Sequence, residues 1–483
     1  MQKKFLQNLI VMVVLNLLIK PYSIFFIDAE VQNRVGTSEY GFYFTLLNFS
    51  YLFNILLDIG TTNYNVKNIA QFPYLVHRYI GKMISLRLVL FLIYTLTSFF
   101  IAFLFGYSQR QLLFVGVLVF NQFLIGFILY LRSYFAGLLS FKIEIFLSVF
   151  DRILLILFVS YLFYFPISEG PFQIKWFVLA QTFSYLLSAC VALTLLYINV
   201  SKPKLSWSSS FNWVILKKSI PYALLILTMM AYTKSDVLLL ERLHPYGLRQ
   251  VGIYAEAYRV IDASYMFIML FANLLFPMFS ALLKRNESVS ALLSISVRIA
   301  IAFSFVIVSV GVCYSEFLIN MIYQANIKEA AEVFNWLICS IVPISVILVL
   351  GTLLTANGNL KVLIRISVLG LIFNVFLNVI LSPVYGALGT AISSVFTQFL
   401  VAVFHVYFTF KYFQVRILPK TIIRYCVFVL LAFGAYFLLD KSTLSELLKV
   451  ATYIVFICSI LFLLGLINVR SVLSQLKVSK DEL

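Results

Sequence analysis

Glu256, Arg259 and Asp262 stand three residues apart in an otherwise apolar run, and that spacing puts all three close to one face of a helix. Their chemistry is electrostatic: either the two carboxylates neutralise the guanidinium, or the arginine binds an anion while the acids serve ion coupling. Lys234 and Asp236 occupy the preceding apolar run at a similar expected depth. Two residues apart on a helix, they cannot face one another, so one is expected to bond to the next segment while the other points elsewhere. Lys20 is a further intramembrane cation, and Pro21 directly after it should kink the helix. It reads either as an anion ligand or as a lysine extending to the interface beside a structural kink. Arg87, Arg152, Arg298 and Arg365 come near the inner ends of apolar runs. They serve either as topology signals or as a basic vestibule that raises the local concentration of an anionic substrate. Asp58, just before Gly60, reads as a helix-end or packing residue.

The elements that must hold these charges are apolar almost throughout. Of 483 residues, 62% are hydrophobic and 11% charged, with a mean hydropathy of +1.00, more apolar surface than a soluble core could bury. A hydrocarbon layer about 30 Å thick takes about 20 apolar residues per helix. Apolar runs at 5–27, 42–59, 83–105, 112–131, 146–165, 176–198, 220–240, 254–275, 297–314, 333–354, 362–381, 387–408, 425–439 and 450–467 predict fourteen spans. A cation placed among them costs at least about 2.5 kcal/mol unless it faces a cavity or a partner.

The net charge of +17 follows the membrane rather than nucleic acid, because the bases lie in short connections and form no domain-wide patch. With the amino terminus in the cytoplasm, inside connections carry Lys3, Lys4, Lys67, Arg78, Lys202, Lys204, Lys217, Lys218, Lys284, Arg285, Lys411, Arg416, Lys420 and Arg470. Outside connections hold Asp28, Glu30, Glu39, Glu169, Glu316, Glu329, Glu332, Asp440 and Glu446. Both termini are therefore expected in the cytoplasm. The first apolar run lacks a small-residue cleavage site and reads as a span, not a secretory signal. Five cysteines lie apart in apolar segments without metal-ligand spacing and read as small hydrophobes.

The basic connection at 201–219 separates six spans (1–200) from six more (220–410), and 411–483 carries the last two. A Gly-hydrophobic-Tyr triplet opens the second span at Gly41 and the eighth at Gly252, suggesting parallel repeats as in many transporters.

Dispersed motifs extend the pattern: Asn33-Arg-Val-Gly36, Glu39-Tyr-Gly-Phe-Tyr43, Leu57-Asp-Ile-Gly60, Lys234-Ser-Asp236, Val251-Gly-Ile-Tyr-Ala-Glu-Ala-Tyr-Arg259, Thr355-Ala-Asn-Gly-Asn359, Asn374 with Asn378, and Ser382-Pro-Val-Tyr-Gly-Ala-Leu-Gly-Thr-Ala391. In their order and spacing the chain resembles the oligosaccharide flippases of O-antigen and other surface polysaccharides. These belong to the superfamily of multidrug, oligosaccharidyl-lipid and polysaccharide exporters, which includes the lipid II flippase. The resemblance implies an all-α polytopic membrane protein with two six-helix lobes around a central cavity plus two carboxyl-terminal helices. It also implies transfer of undecaprenyl-diphosphate-linked oligosaccharide to the outer leaflet of a bacterial inner membrane by alternating access. Lys20, Lys234 and Arg259 would then meet the diphosphate, with Asp236, Glu256 and Asp262 as coupling or cavity acids. Energy would come from a proton or sodium gradient, membrane potential, or substrate supply and removal, with no cofactor and no metal. Partners would be the lipid-linked oligosaccharide, membrane lipids, a polymerase and glycosyltransferases.

Two other readings stay open at this point: a cation-coupled drug or metabolite exporter of the same fold, and a membrane oligosaccharide polymerase or ligase. The first would normally have twelve spans, and the second needs a substantial outer loop where the longest connection here, about 314–332, is short. No Walker A or H-E-x-x-H sequence is present. Asn374 and Asn378, with Ser393, Ser394, Thr397 and Gln398, read as helix-packing groups. Tyr254, Tyr258 and Tyr265 read as interfacial anchors or as rings for sugar stacking. The final Lys480-Asp-Glu-Leu483 reads as a coincidence with a lumenal retention signal on a tail expected in the cytoplasm.

Overall fold

The computed structural model describes residues 2–62, 69, 76–138, 140–165, 170–199, 205–413 and 419–466. The terminal Lys-Asp-Glu-Leu, Lys67, Lys202, Lys204, Arg416 and Arg470 lie outside them.

Every described element is helical. In chain order they are α1 (Gln2–Tyr22), a π-helical turn (Ser23–Asp28), α2 (Ala29–Val35), α3 (Thr37–Leu52), α4 (Ile55–Asp58), α5 (Val76–Leu104), α6 (Gln109–Gly137), α7 (Phe141–Tyr164) and α8 (Ile174–Asn199). There follow α9 (Ser209–Leu243), α10 (Gly247–Lys284), α11 (Ser290–Cys313), α12 (Ser315–Ile322), α13 (Ile327–Cys339), α14 (Ile341–Ala356), α15 (Leu360–Phe413), α16 (Pro419–Asp440) and α17 (Glu446–Leu463). Each of the fourteen expected spans falls on helix. Among the described residues ten helical segments are long and apolar enough to cross a membrane. One, α15, is a pair of spans fused at Gly386, whose φ of 55° and ψ of −130° only glycine adopts readily.

Helices here are apolar on both faces, as lipid requires. On α5 the lipid stripe Leu92, Leu96, Phe100 and Phe103 is 58 to 75% exposed, while Leu86, Leu90 and Tyr94 on the other face are buried. The protein is a multi-pass membrane protein.

Packing divides the chain into two compact units, Met1–Ala255 and Glu256–Leu483, with the division inside α10. Helix α9 begins at Ser209, within the 201–219 segment expected as a linker. In the first unit α1 packs along α7, and α9 along α3. The kink expected at Pro21 takes the form of the π-helical turn two residues later. Proline supplies no N–H to the turn before it, and a widened turn carries the chain past that gap.

In the second unit the two halves of α15 are joined by a ladder of buried polar groups. Asn374 donates to Thr397 Oγ1 (3.4 Å), Asn378 donates to Asn374 O (3.0 Å), Ser382 donates to Asn378 Oδ1 (2.9 Å), and the Ser382 and Thr390 hydroxyls lie 2.8 Å apart. The packing role expected for these asparagines is what they perform. The accessory helices α16 and α17 rest on α11 through a core that includes Ala302, Tyr314, Phe428, Tyr453 and Ile457.

Candidate functional site

The site in the first unit is set by one helix register. Asn16 on α1 donates its amide to Ser148 Oγ on α7 at 2.9 Å and to Met12 O at 2.8 Å. One turn further along both helices come Lys20 and Arg152. The Lys20 ammonium has Arg152, Arg132, Asp151 and Glu144 in its electrostatic surroundings. Arg132 is itself held by Glu144 at 2.6 Å. The Arg152 guanidinium sits 5.9 Å from the Tyr185 ring on α8 and 3.4 Å from Asp151, with Tyr51 and Asp28 also in its electrostatic surroundings. Tyr51 leads on to Lys234 of α9, whose ammonium lies 5.6 Å from that ring.

Three intramembrane cations, Lys20, Arg152 and Lys234, are thus gathered with Arg132 around two tyrosines, with Asp28, Asp151 and Glu144 among them. This corrects the expected place of Arg152 near an inner helix end. Helix α7 starts at Phe141, five residues ahead of the apolar run, so Arg152 is eleven residues from one end and twelve from the other. The charged first turn, with Lys142 and Glu144, conceals that start from hydropathy.

Asp236 is 1% exposed, and Tyr254 Oη approaches its Oδ2 at 3.5 Å, so the acid of the Lys234/Asp236 pair reaches the following helix. Tyr254 is equally buried, which removes it as a ring for sugar stacking.

Arg87 is enclosed in a tie between elements and does not open onto a vestibule. It is 3% exposed, pairs with Asp58, and donates to Thr61 Oγ1 (2.9 Å), Thr62 Oγ1 (2.6 Å) and Gly126 O (3.0 Å) while lying 4.2 Å over the Tyr130 ring. Asp58 also accepts from Thr61 and from the Thr62 amide and hydroxyl, in keeping with its expected packing role.

In the second unit Arg259 Nη1 lies 3.5 Å from Asp262 Oδ2 on the same face of α10, and Glu256 is 1% exposed. Arg298 and Arg365 belong to different surroundings. The Arg298 carbonyl accepts from Tyr425 Oη of the accessory helix at 2.9 Å, and Arg365 is exposed.

Sequence reasoning did not single out Arg132, Asp151, Tyr51, Tyr185 or Asp28 as neighbours of Lys20 and Arg152. Their association depends on contacts between helices far apart in sequence. The one local signal was the Asp151-Arg152 dipeptide in the middle of an apolar run.

The chain is similar to known proteins along most of its length. Residues 5–283 match the family described as polysaccharide biosynthesis protein. An uncharacterized membrane protein of Methanocaldococcus jannaschii is 23% identical over 233 residues, 46% of this chain and 45% of that one, so the match spans less than half the relative's length. Among solved structures, the lipid II flippase MurJ in an inward closed conformation aligns at a TM-score of 0.68 and 13% identity, covering 95% of this chain and 98% of that one. An inward-facing multidrug resistance MATE transporter aligns at 0.64 and 14% identity, covering 84% and 98%. A transporter of the same superfamily from Pyrococcus furiosus aligns at 0.60 and 15% identity, covering 84% and 96%. The first unit's cation-bearing helices fall inside the matched region, and the chain belongs to the polysaccharide biosynthesis protein family, with the fold of the MOP superfamily's flippases and exporters.

Proposed function

We propose that this protein is a flippase carrying undecaprenyl-diphosphate-linked oligosaccharide from the cytoplasmic to the outer leaflet of a bacterial inner membrane, for surface polysaccharide biosynthesis, by alternating access. The observation that supports this reading is the placement of Lys20 and Arg152 one turn beyond the Asn16–Ser148 bond, in one electrostatic neighbourhood with Arg132. Like charges side by side among apolar helices destabilise the empty protein, and a diphosphate relieves that repulsion. Tyr51, which is half-buried, offers a ring and a hydroxyl to the first sugars, while the polyprenyl tail stays in lipid. Arg259 adds a guanidinium held by Asp262, and Asp236, Glu256 and Asp262 are the acids through which a proton or sodium gradient would act. Membrane potential is an alternative drive, and no cofactor is needed.

The 95% cover by the lipid II flippase against 84% by the MATE transporter favours the flippase over a drug exporter, since the carboxyl-terminal accessory helices go with the former plan. The test is complementation of a strain lacking its surface-polysaccharide flippase. Lys20→Ala, Arg152→Ala and Arg259→Ala should insert normally and fail to restore the polymer. Full restoration by all three would sink the assignment. Export of cationic drugs without movement of lipid-linked sugar in proteoliposomes would favour the exporter.

A further inference from the structure

A second charged feature of the first unit lies where several of its helices begin. A cavity of about 420 Å³ is bounded there by Arg34, Glu39, Arg110, Phe114, Phe172 and Lys175, among others. That volume lies in the range of small-molecule sites. Its lining has three cations against one carboxylate. Both arginines are fixed in place: Arg110 forks onto the two Glu39 oxygens at 3.1 and 2.6 Å and lies 4.6 Å over the Phe42 ring. Arg34 is held by Glu30 at 2.7 Å and lies 4.2 Å over Phe163. Lys175 has no carboxylate within ion-pair distance among the described residues, and its ammonium rests 4.9 Å from the Trp176 ring.

The backbone adds to this charge. Helices α3, α6 and α8 all begin at the cavity, at Thr37, Gln109 and Ile174. Each contributes the positive end of its dipole, and in α6 the Ser108 hydroxyl already accepts from the Gln111 amide. Gly36 caps α3 with no side chain, so the amides of that first turn have no side-chain acceptor from the cap. The charge pattern assigns this end to the outside, where bases are sparse, so retention of cations does not explain the cluster.

We propose that this cavity binds an anionic group, phosphate or carboxylate, borne on a sugar or on a lipid headgroup. The arginines and Lys175 take the anion, and Phe114 and Phe172 pack against the carrier's carbon face. The proposal goes beyond the flippase reading and does not depend on it.

Trp176 is a built-in reporter, because an anion on Lys175 draws the ammonium from the indole. The full chain, with Trp207, Trp213 and Trp336 replaced by Phe, is placed in phosphatidylcholine nanodiscs and titrated with glucose 1-phosphate, glucuronate and glucose. Saturable change in Trp176 emission is expected with either anion and not with glucose. Its apparent Kd should rise at least tenfold, about 1.4 kcal/mol, in both Lys175→Gln and Arg110→Gln. In nanodiscs containing phosphatidylglycerol, loss of the sugar-anion response identifies the lipid headgroup as occupant, and its persistence identifies the sugar. No saturable response in phosphatidylcholine, an equal response to glucose, or a response that survives both substitutions overturns the proposal.

Discussion

Gly41 and Gly252 pack against each other's helix reciprocally. A Cβ on Gly41 would stand 1.9 Å from the carbonyl oxygen of Leu248, and one on Gly252 would stand 2.1 Å from that of Thr37. Each oxygen belongs to the residue four before the other glycine. The crossing is therefore pseudo-twofold, and the Gln32 side chain fastens it by donating to Gly252 O at 3.0 Å. The repeat behind it is longer than a triplet: Gly36, Gly41 and Tyr43 recur as Gly247, Gly252 and Tyr254 at one offset of 211 residues.

Because the atoms in the way are backbone, any side chain here forces α3 and α10 apart. Gly41→Val or Gly252→Val should lower stability by about 1–3 kcal/mol, as overpacking does, read as a fall in the thermal unfolding midpoint in detergent. Gly434→Ala, where nothing lies within 4 Å of the added carbon, should cause no such fall.

For Lys20 the proposed role separates stability from activity. Lys20→Met removes a charge repelled by Arg152 and Arg132, so the unfolding midpoint should hold or rise while complementation is lost. A lysine whose work is structural would lower both together.

Asp58 and Arg87 should behave in the opposite way. Asp58→Ala leaves a guanidinium that is 3% exposed without its carboxylate, at a cost of about 3–5 kcal/mol. The double variant Asp58→Ala/Arg87→Met should lose less than Asp58→Ala alone, and a larger loss would show that the two side chains stabilise α4 and α5 separately. Thermal unfolding of the four proteins in one cycle measures this.

The polar ladder within α15 carries smaller energies. Ser382→Ala breaks its bonds to Asn378 and Thr390 and should cost about 0.6–1.7 kcal/mol, the range for hydrogen bonds between membrane helices. Asn378→Leu should cost more, because it also removes the donor to Asn374 O and leaves Ser382 without its acceptor.

The fold was largely legible because lipid imposes one requirement on every span, and a run of apolar residues satisfies it visibly. Even α10, whose charges interrupt the run, could be placed from its spacing of three. Legibility failed where a helix begins in polar residues, as at Lys142 and Glu144, which moved Arg152 from mid-helix to the apparent edge. It failed again where meaning lies in contact between distant helices. Nothing local to Asn16 announces Ser148, and that bond sets Lys20 beside Arg152. Nor does the pairing of Asp58 with Arg87 appear in a sequence in which twenty-nine positions separate them.

The π-helical turn at Ser23–Asp28 makes α1 a screw with one surplus thread. A π-turn closes its hydrogen bonds one residue later than an α-turn. If the segment rewound as ordinary α-helix, everything from Ala29 onward would rotate by about 100° and shift about 1.5 Å relative to Lys20, the pitch of a single residue. Asp28 would leave the surroundings of Arg152 and a different face would arrive, at the cost of exchanging the Ala29 N–H bond to Ile24 O and of the Gln32 bond to Gly252 O. Rewinding of that kind would change which acids stand beside Lys20 and Arg152.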